Sequence, residues 1–383
     1  VEIGYLQKEF EKVFGGGGSL RTFFAPGRVN IIGEHIDYNG GYVFPCAIDL
    51  GTYLVARKRE DRLIRGYSAN FPGVVEVNLD NLEYKGSRGW FNYVTGVFSF
   101  MKVSDYGFDL FFYGDLPNGA GLSSSASIEL VTAYCINNFY NLNIDKVDLA
   151  LLCQQVENRY IGVKCGIMDQ FSIAMGKKDH GILLNCNTLE YQYIPFNLQD
   201  KSLVIINSNI QRSLASSQYN ERRESCEKAL EILKKYIDVD YLCDISENRW
   251  NDLKGYIEDE RMRKRAKHAI TENERVKRAV EALKGDDIGQ LGKLMYQSHL
   301  SLKEDYEVSV EGLDLLVDLA KSYPGVWGSR LTGAGFGGCT ISIVDNDRVE
   351  GFVKYIEGNY RQRTGIVAEC YVTKVSEGVR EVK

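Results

Sequence analysis

Twelve consecutive residues, Leu116-Pro117-Asn118-Gly119-Ala120-Gly121-Leu122-Ser123-Ser124-Ser125-Ala126-Ser127, constrain the fold more than any other part of this 383-residue chain. They follow a strand-like run, Phe108 to Tyr113, and precede a helical pattern from about Ser125 to Tyr140. A strand that hands over to a helix through such a loop commits the chain to a mixed architecture with the loop at a helix N-terminus. Glycines let the backbone approach an anion, serines add hydroxyl donors, and the helix presents free N–H groups at the positive end of its dipole. The stretch reads as a phosphate cradle, the alternative being a plain turn with a serine cap. It lacks the lysine of G-x-x-x-x-G-K-S/T, and neither H-R-D nor D-F-G occurs in the chain.

A second dense segment runs from Gly27 to Gly41. Val29, Ile31 and Ile32 read as the buried end of a strand, and the polar, glycine-closed residues after it as a loop. Glu34, His35 and Asp37 can exchange hydrogen bonds with the hydroxyls of a small polyol, and Arg28 can neutralise a phosphate or hold a carboxylate. A solvated turn is the alternative.

Other segments are weaker alone. Gly333-Ala334-Gly335-Phe336-Gly337-Gly338 matches G-x-G-x-x-G, but Cys339 to Val344 reads as a strand where a dinucleotide site needs a helix. Cys165-Gly166-Ile167-Met168-Asp169-Gln170-Phe171 puts an acid at the start of a short helix, where capping alone would explain it. Glu157, late in a helix from Asp145 to Tyr160, reads by default as a surface residue.

The length suits about two domains. Strands are expected at Gly41 to Ile48, Tyr53 to Arg59, Leu63 to Ser68 and Val74 to Val77, with a helix from Trp90 to Lys102. The second half is more helical and carries strands at Thr340 to Val344 and Ala368 to Thr373. An α+β protein is expected, with domains at 1–195 and 196–383. A net charge of −6 argues against nucleic acid or an anionic membrane as a main partner. The basic cluster Arg261 to Lys267, with Arg275, Lys277 and Arg278, is interleaved with acids and reads as a solvated helix face. No apolar run reaches the roughly 18 residues needed to cross a bilayer. Nine cysteines scattered singly and four histidines argue for reduced thiols and against a zinc site. A cytoplasmic monomer is expected.

Together these segments resemble the GHMP kinases, and among them the galactokinases. The amino-terminal segment is similar to the galactokinase signature, GAGLSSSAS to the family's nucleotide loop and LTGAGFGGC to its third motif, three matches in the family's order. Ser298 to Ser309 (SHLSLKEDYEVS) is also of galactokinase type, so the likeness spans nearly the whole chain. The resemblance implies an amino-terminal domain like the second domain of ribosomal protein S5, a ferredoxin-like carboxy-terminal domain, and an active site in the cleft between them. It implies that Glu34, His35, Ile36, Asp37, Gly166 and Tyr219 contact galactose. Gly119, Ala120, Gly121, Leu122, Ser123, Ser124 and Ser125 would wrap the phosphates of ATP, with Ser68 and Trp90 near the nucleotide. Ser125 and Glu157 would hold Mg2+, and Asp169 and Arg28 would act at the anomeric hydroxyl. Ile36 departs from the family, which usually has Thr there; an isoleucine at this place is familiar from N-acetylgalactosamine kinase, whereas Asn39-Gly40-Gly41 keeps the galactokinase form.

The activity so implied is phosphoryl transfer from ATP to O1 of galactose, with Asp169 as general base. An adjacent arginine and a helix N-terminus favour the ionised carboxylate, which makes it a weak base near neutral pH. The anomeric hydroxyl is more acidic than an ordinary alcohol and the transition state is loose, so late deprotonation suffices. The alternatives are a kinase for N-acetylgalactosamine, L-arabinose or galacturonate, and a non-catalytic galactose and ATP sensor. Such sensors lack the Ser-Ala pair that is present here in Ser123-Ser124-Ser125-Ala126-Ser127.

Overall fold

The computed structural model describes residues 1–117, 120–210 and 215–383, with the backbone alone at Ala215 and Ser216. Helix α1 (Ile3–Phe14) buries Leu6 and Phe10 against the back of a large sheet. That sheet begins with β1 (Arg21–Ile32) and β2 (Tyr42–Lys58), followed by β3 (Leu63–Ser68) and β4 (Val75–Asn78). Helix α2 (Phe91–Met101) leads to β5 (Phe108–Gly114), and β5 to α3 (Ser124–Tyr140), the handover anticipated from the sequence. Then come α4 (Lys146–Gln155), α5 (Met168–Met175), β6 (His180–Asn185) and β7 (Tyr191–Pro195). Asp145 caps α4, accepting from the Asp148 N–H at 2.9 Å.

Two strands were expected between Gly41 and Arg59, and the structure has one, β2. Gly51 lies in the gap between the two expected runs and serves close approach, since a Cβ there would lie 2.2 Å from the Ala25 carbonyl oxygen of β1. The helix ending at Tyr160 also differs: α4 stops at Gln155 and continues as a wider π turn over Val156–Ile161.

The second half starts with β8 (Lys201–Asn207) and α6 (Ala215–Leu233), then the helices α7 (Glu247–Leu253), α8 (Glu260–Lys284), α9 (Ile288–Glu304) and α10 (Glu311–Ser322). It closes with β9 (Val326–Thr332), β10 (Cys339–Asp345), α11 (Val349–Thr364), β11 (Glu369–Thr373) and β12 (Arg380–Val382). Its sheet runs β11-β8-β10-β9, antiparallel at every pair, which numbered from β8 is the ferredoxin-like order 4-1-3-2. The first sheet runs β12-β1-β2-β5-β3-β4, with β6 and β7 joined to the far end of β2. The last strand of the chain therefore pairs with β1, on the other side of the expected boundary at 195/196.

The basic cluster on α8 is not uniformly solvated. Arg265 is fully buried, donating to the Asp305 carbonyl and to Glu307, and Arg275 is buried against Glu272 at 2.7 Å. Burying a guanidinium is tolerable only with such acceptors in place.

Candidate active site

Strand β1 carries Arg28 inward, and the chain leaves the strand at Gly33, whose φ of 99° suits a residue without a side chain. The Gly33 N–H donates to Glu272 at 2.9 Å, which pins the turn to α8. Glu34, His35 and Asp37 then line a cavity of about 170 Å³, together with Arg28, Ser125, Glu157, Gly166, Asp169, Tyr219, Gly333 and Ala334. These residues come from both halves of the chain. The sheets are bound together beside the cavity, where the Asn30 N–H donates to Thr332 Oγ1 at 3.0 Å and Arg330 donates to the Asn30 carbonyl at 2.8 Å.

Arg28 and Asp169 form its centre. Nε and one terminal nitrogen of Arg28 donate to the two oxygens of Asp169 at 2.8 and 3.0 Å, and the other terminal nitrogen donates to the Gly121 carbonyl at 2.9 Å. Ser123 Oγ adds a third hydrogen bond to Asp169, at 2.6 Å. Asp169 stands in the first turn of α5, but its side chain serves this network instead of capping the helix. Ser123 has φ 62°, a left-handed conformation that costs a non-glycine residue of order 1 to 3 kcal/mol and that brings its hydroxyl to Asp169.

Glu34 is buried and accepts from the fully buried Arg330 at 2.9 Å; burial still outweighs that cation and pushes its acid upward. Asp37 is raised to about 7, first by burial and then by the charge of Asp169. His35 is driven down to about 3 by burial, so its ring is neutral. Gly166 has no room for a side chain, because a Cβ would lie 2.0 Å from an Asp37 carboxylate oxygen.

Ile36 does not line the cavity. It is fully buried behind the loop, where a Cβ on Gly41 would come within 2.9 Å of its Cδ1. The Ile-for-Thr departure thus alters the packing behind the segment rather than the cavity wall.

A second cavity of about 230 Å³ adjoins the first and is lined by Ser68, Asn70, Phe71, Trp90, Tyr93, Ser124 and Ser125, among others. Ser125 lines both cavities. Of the expected nucleotide loop, Ala120 and Leu122 are buried, Gly121 and Ser123 serve Arg28 and Asp169, and Gly119 lies outside the described residues.

Glu157 is not at the surface. It lies buried in the π turn, its acid pushed up by burial and by Asp169, while Ser125 and Gln170 hydrogen bond to it, the latter at 2.8 Å. A buried carboxylate beside a hydroxyl is a hard oxygen pair suited to Mg2+, which takes one or two protein ligands and completes its shell with phosphate and water. Among the described residues no group of three or more acidic, histidine or cysteine side chains could hold a metal ion. Sequence reasoning missed Arg330 and Gln170. It also missed the fully buried Glu129, whose acid is pushed well up by burial and by neighbouring Glu157.

The galactokinase galactose-binding signature matches residues 8–58, the GHMP kinases N terminal domain residues 92–177 and the GHMP kinases C terminal residues 279–362. The chain is 51% identical to a galactokinase of Fusobacterium nucleatum, over 99% of both chains. It is 48% identical to one of Bacillus subtilis, over 99% of this chain and 98% of that one. A crystal structure of Lactococcus lactis galactokinase complexed with galactose superposes with a TM-score of 0.97 at 42% identity, over 99% of this chain and all of the other. The Methanococcus jannaschii mevalonate kinase, at TM-score 0.68 and 20% identity over 94% and 99% of the chains, shares the fold. On this evidence the chain belongs to the galactokinase family of the GHMP kinases.

Proposed function

We propose that this chain transfers the γ-phosphoryl group of Mg-ATP to O1 of α-D-galactose, giving α-D-galactose 1-phosphate and ADP. The observation that carries it is the Arg28–Asp169 pair, set between the residues assigned to the sugar and the loop assigned to the phosphates. Phosphoryl transfer asks for positioning and charge neutralisation, and no covalent nucleophile is required. Glu34, Asp37 and Tyr219 hold the sugar hydroxyls, with Gly166 leaving room for the Asp37 carboxylate. Ser68 and Trp90 flank the nucleotide, and the loop through Ser125 follows its phosphates.

Asp169 accepts three hydrogen bonds, and a carboxylate has about four acceptor positions. The remaining one receives the O1 hydroxyl, orients it and takes its proton late. Arg28 keeps the carboxylate in place and adds positive charge where the transferring group becomes anionic. Ser125 and Glu157 would hold Mg2+, which supplies neutralisation of the phosphate oxygens when bound.

A reducing, cytoplasmic compartment fits the nine free cysteines. The function is tested by following ADP release with Mg-ATP and each of galactose, N-acetylgalactosamine, L-arabinose and galacturonate. Galactose is expected to give by far the highest kcat/KM. A higher value for another sugar would reassign the substrate, and a flat trace with all four would make the chain a sensor.

A further inference from the structure

His35 lines the sugar cavity, yet both nitrogens of its imidazole are occupied by protein. Nε2 lies 3.0 Å from the Ala334 carbonyl oxygen, and Nδ1 lies 2.7 Å from the Tyr38 hydroxyl. A carbonyl only accepts, so Nε2 carries the proton. A neutral ring then has Nδ1 as an acceptor, and Tyr38 must donate to it. The Tyr38 oxygen lies 2.8 Å from the Tyr306 hydroxyl, and having given its own proton to His35 it accepts from Tyr306. Tyr306 in turn lies 3.3 Å from Cys226 Sγ, leaving the thiol as donor to the Tyr306 oxygen.

One end of the chain, the Ala334 carbonyl, thus fixes the direction of every hydrogen bond in it. The chain joins the glycine loop after β9, the amino-terminal segment, the residues after α9 and helix α6. His35 needs such support, since it adopts φ 61°, which is uncommon outside glycine. The Tyr219 ring rests on the same cluster, with centroids 5.3 Å from His35 and 5.5 Å from Tyr38.

We propose that Tyr306, fully buried and outside the cavity lining, is a positioning residue for the sugar site, acting through the Tyr38 hydroxyl on the His35 ring. His35 then offers galactose a surface of ring and no nitrogen, and recognition by hydrogen bonding falls to its neighbours. The proposal rests on the assignment of this cavity to the sugar, but its structural half concerns the free protein.

The test combines kinetics with nitrogen NMR of histidine-labelled protein. Tyr306→Phe keeps the ring and removes one hydroxyl, so KM for galactose is expected to rise about three- to tenfold, the range for one net hydrogen bond, with kcat and KM for ATP within about twofold. Tyr38→Phe is expected to be at least as severe, and the double variant no worse than Tyr38→Phe alone, because the two act through one path. In the wild-type protein the His35 signals are expected to show Nε2 protonated and Nδ1 unprotonated, with and without galactose, and Tyr306→Phe to shift Nδ1. A switch of the His35 tautomer on adding galactose would overturn the proposal. So would an unchanged galactose KM in Tyr306→Phe, additive losses in the double variant, or equal losses for galactose and ATP. If no sugar is turned over, the sugar assignment fails, while the His35 signals of the free protein still decide the hydrogen-bond chain.

Discussion

Gly166→Ala tests how tightly the sugar pocket is built. Gly166 does not have positive φ, so the substitution leaves the backbone conformation acceptable, and its whole effect falls on what the new methyl meets. That neighbour is Asp37, with Oδ2 at 2.0 Å, Cγ at 2.2 Å and Oδ1 at 2.8 Å from the Cβ position. Such contacts do not occur below 3.0 Å, so the carboxylate must retreat by about 1 Å and strain its hydrogen bond from the Tyr38 N–H, now 3.0 Å. A 1 Å misplacement of a positioning group costs about 100-fold, or about 2.7 kcal/mol at 1.36 kcal/mol per tenfold. The loss is expected in galactose kcat/KM, mostly through KM, with KM for ATP within about twofold. A double-mutant cycle with Asp37→Ala isolates the cause: once the carboxylate is gone, adding Gly166→Ala should cost less than about threefold. An unchanged galactose KM, or the same 100-fold loss in the Asp37→Ala background, would refute the steric reasoning.

Asp169→Asn removes the ion pair and sets an amide against guanidinium donors; kcat should fall by about 10²- to 10⁴-fold in single-turnover measurements, and a near wild-type rate would end the base assignment. Ser123→Ala deletes one hydrogen bond to a carboxylate, expected to lower kcat by about 10- to 100-fold with KM for ATP little changed, in steady-state assays. His35 and His268, lowered to about 3 and about 4 by burial, take up protons only on unfolding. The stability they contribute is therefore full above about pH 6.5 and lost as pH falls below it, which urea unfolding at pH 5 and pH 7.5 reads directly. Asp37 has the opposite sign: raised to about 7, it contributes stability that is present at low pH and lost as pH rises through 7. Between pH 6 and pH 8, Asp37→Asn should gain about 1 kcal/mol on the wild type in the same experiment.

The β5–α3 handover was legible because hydrophobic period changes from strand to helix across a loop of glycine and serine, and both signals are local. Strand β2 crosses the expected gap between Ile48 and Tyr53, where a glycine such as Gly51 is compatible with either a break or a close approach and only the partner strand decides which. Strand β9 escaped because both of its faces are buried and both carry polar residues, Ser329 on one and Arg330 and Thr332 on the other, so apolar alternation never arises. Arg330 binds Glu34 from 296 residues away, a pairing that no sequence window contains. Glu157 was misplaced because the π turn shifts the helical register, and a 3.6-residue period then assigns the wrong face. Arg28, Glu34, Asp37 and Asp169 were legible as candidates from their motifs and line one cavity, whereas the spent nitrogens of His35 and the diversion of Ser123 to Asp169 required the fold.

The most direct measurement is phosphorus NMR of the product formed from galactose and Mg-ATP. A single sugar phosphate, coupled to the anomeric proton of the α-anomer and formed in step with ADP, is expected. Phosphate on any other hydroxyl, the β-anomer, or ADP released without a sugar phosphate would contradict the placement of O1 between Asp169 and the phosphate loop.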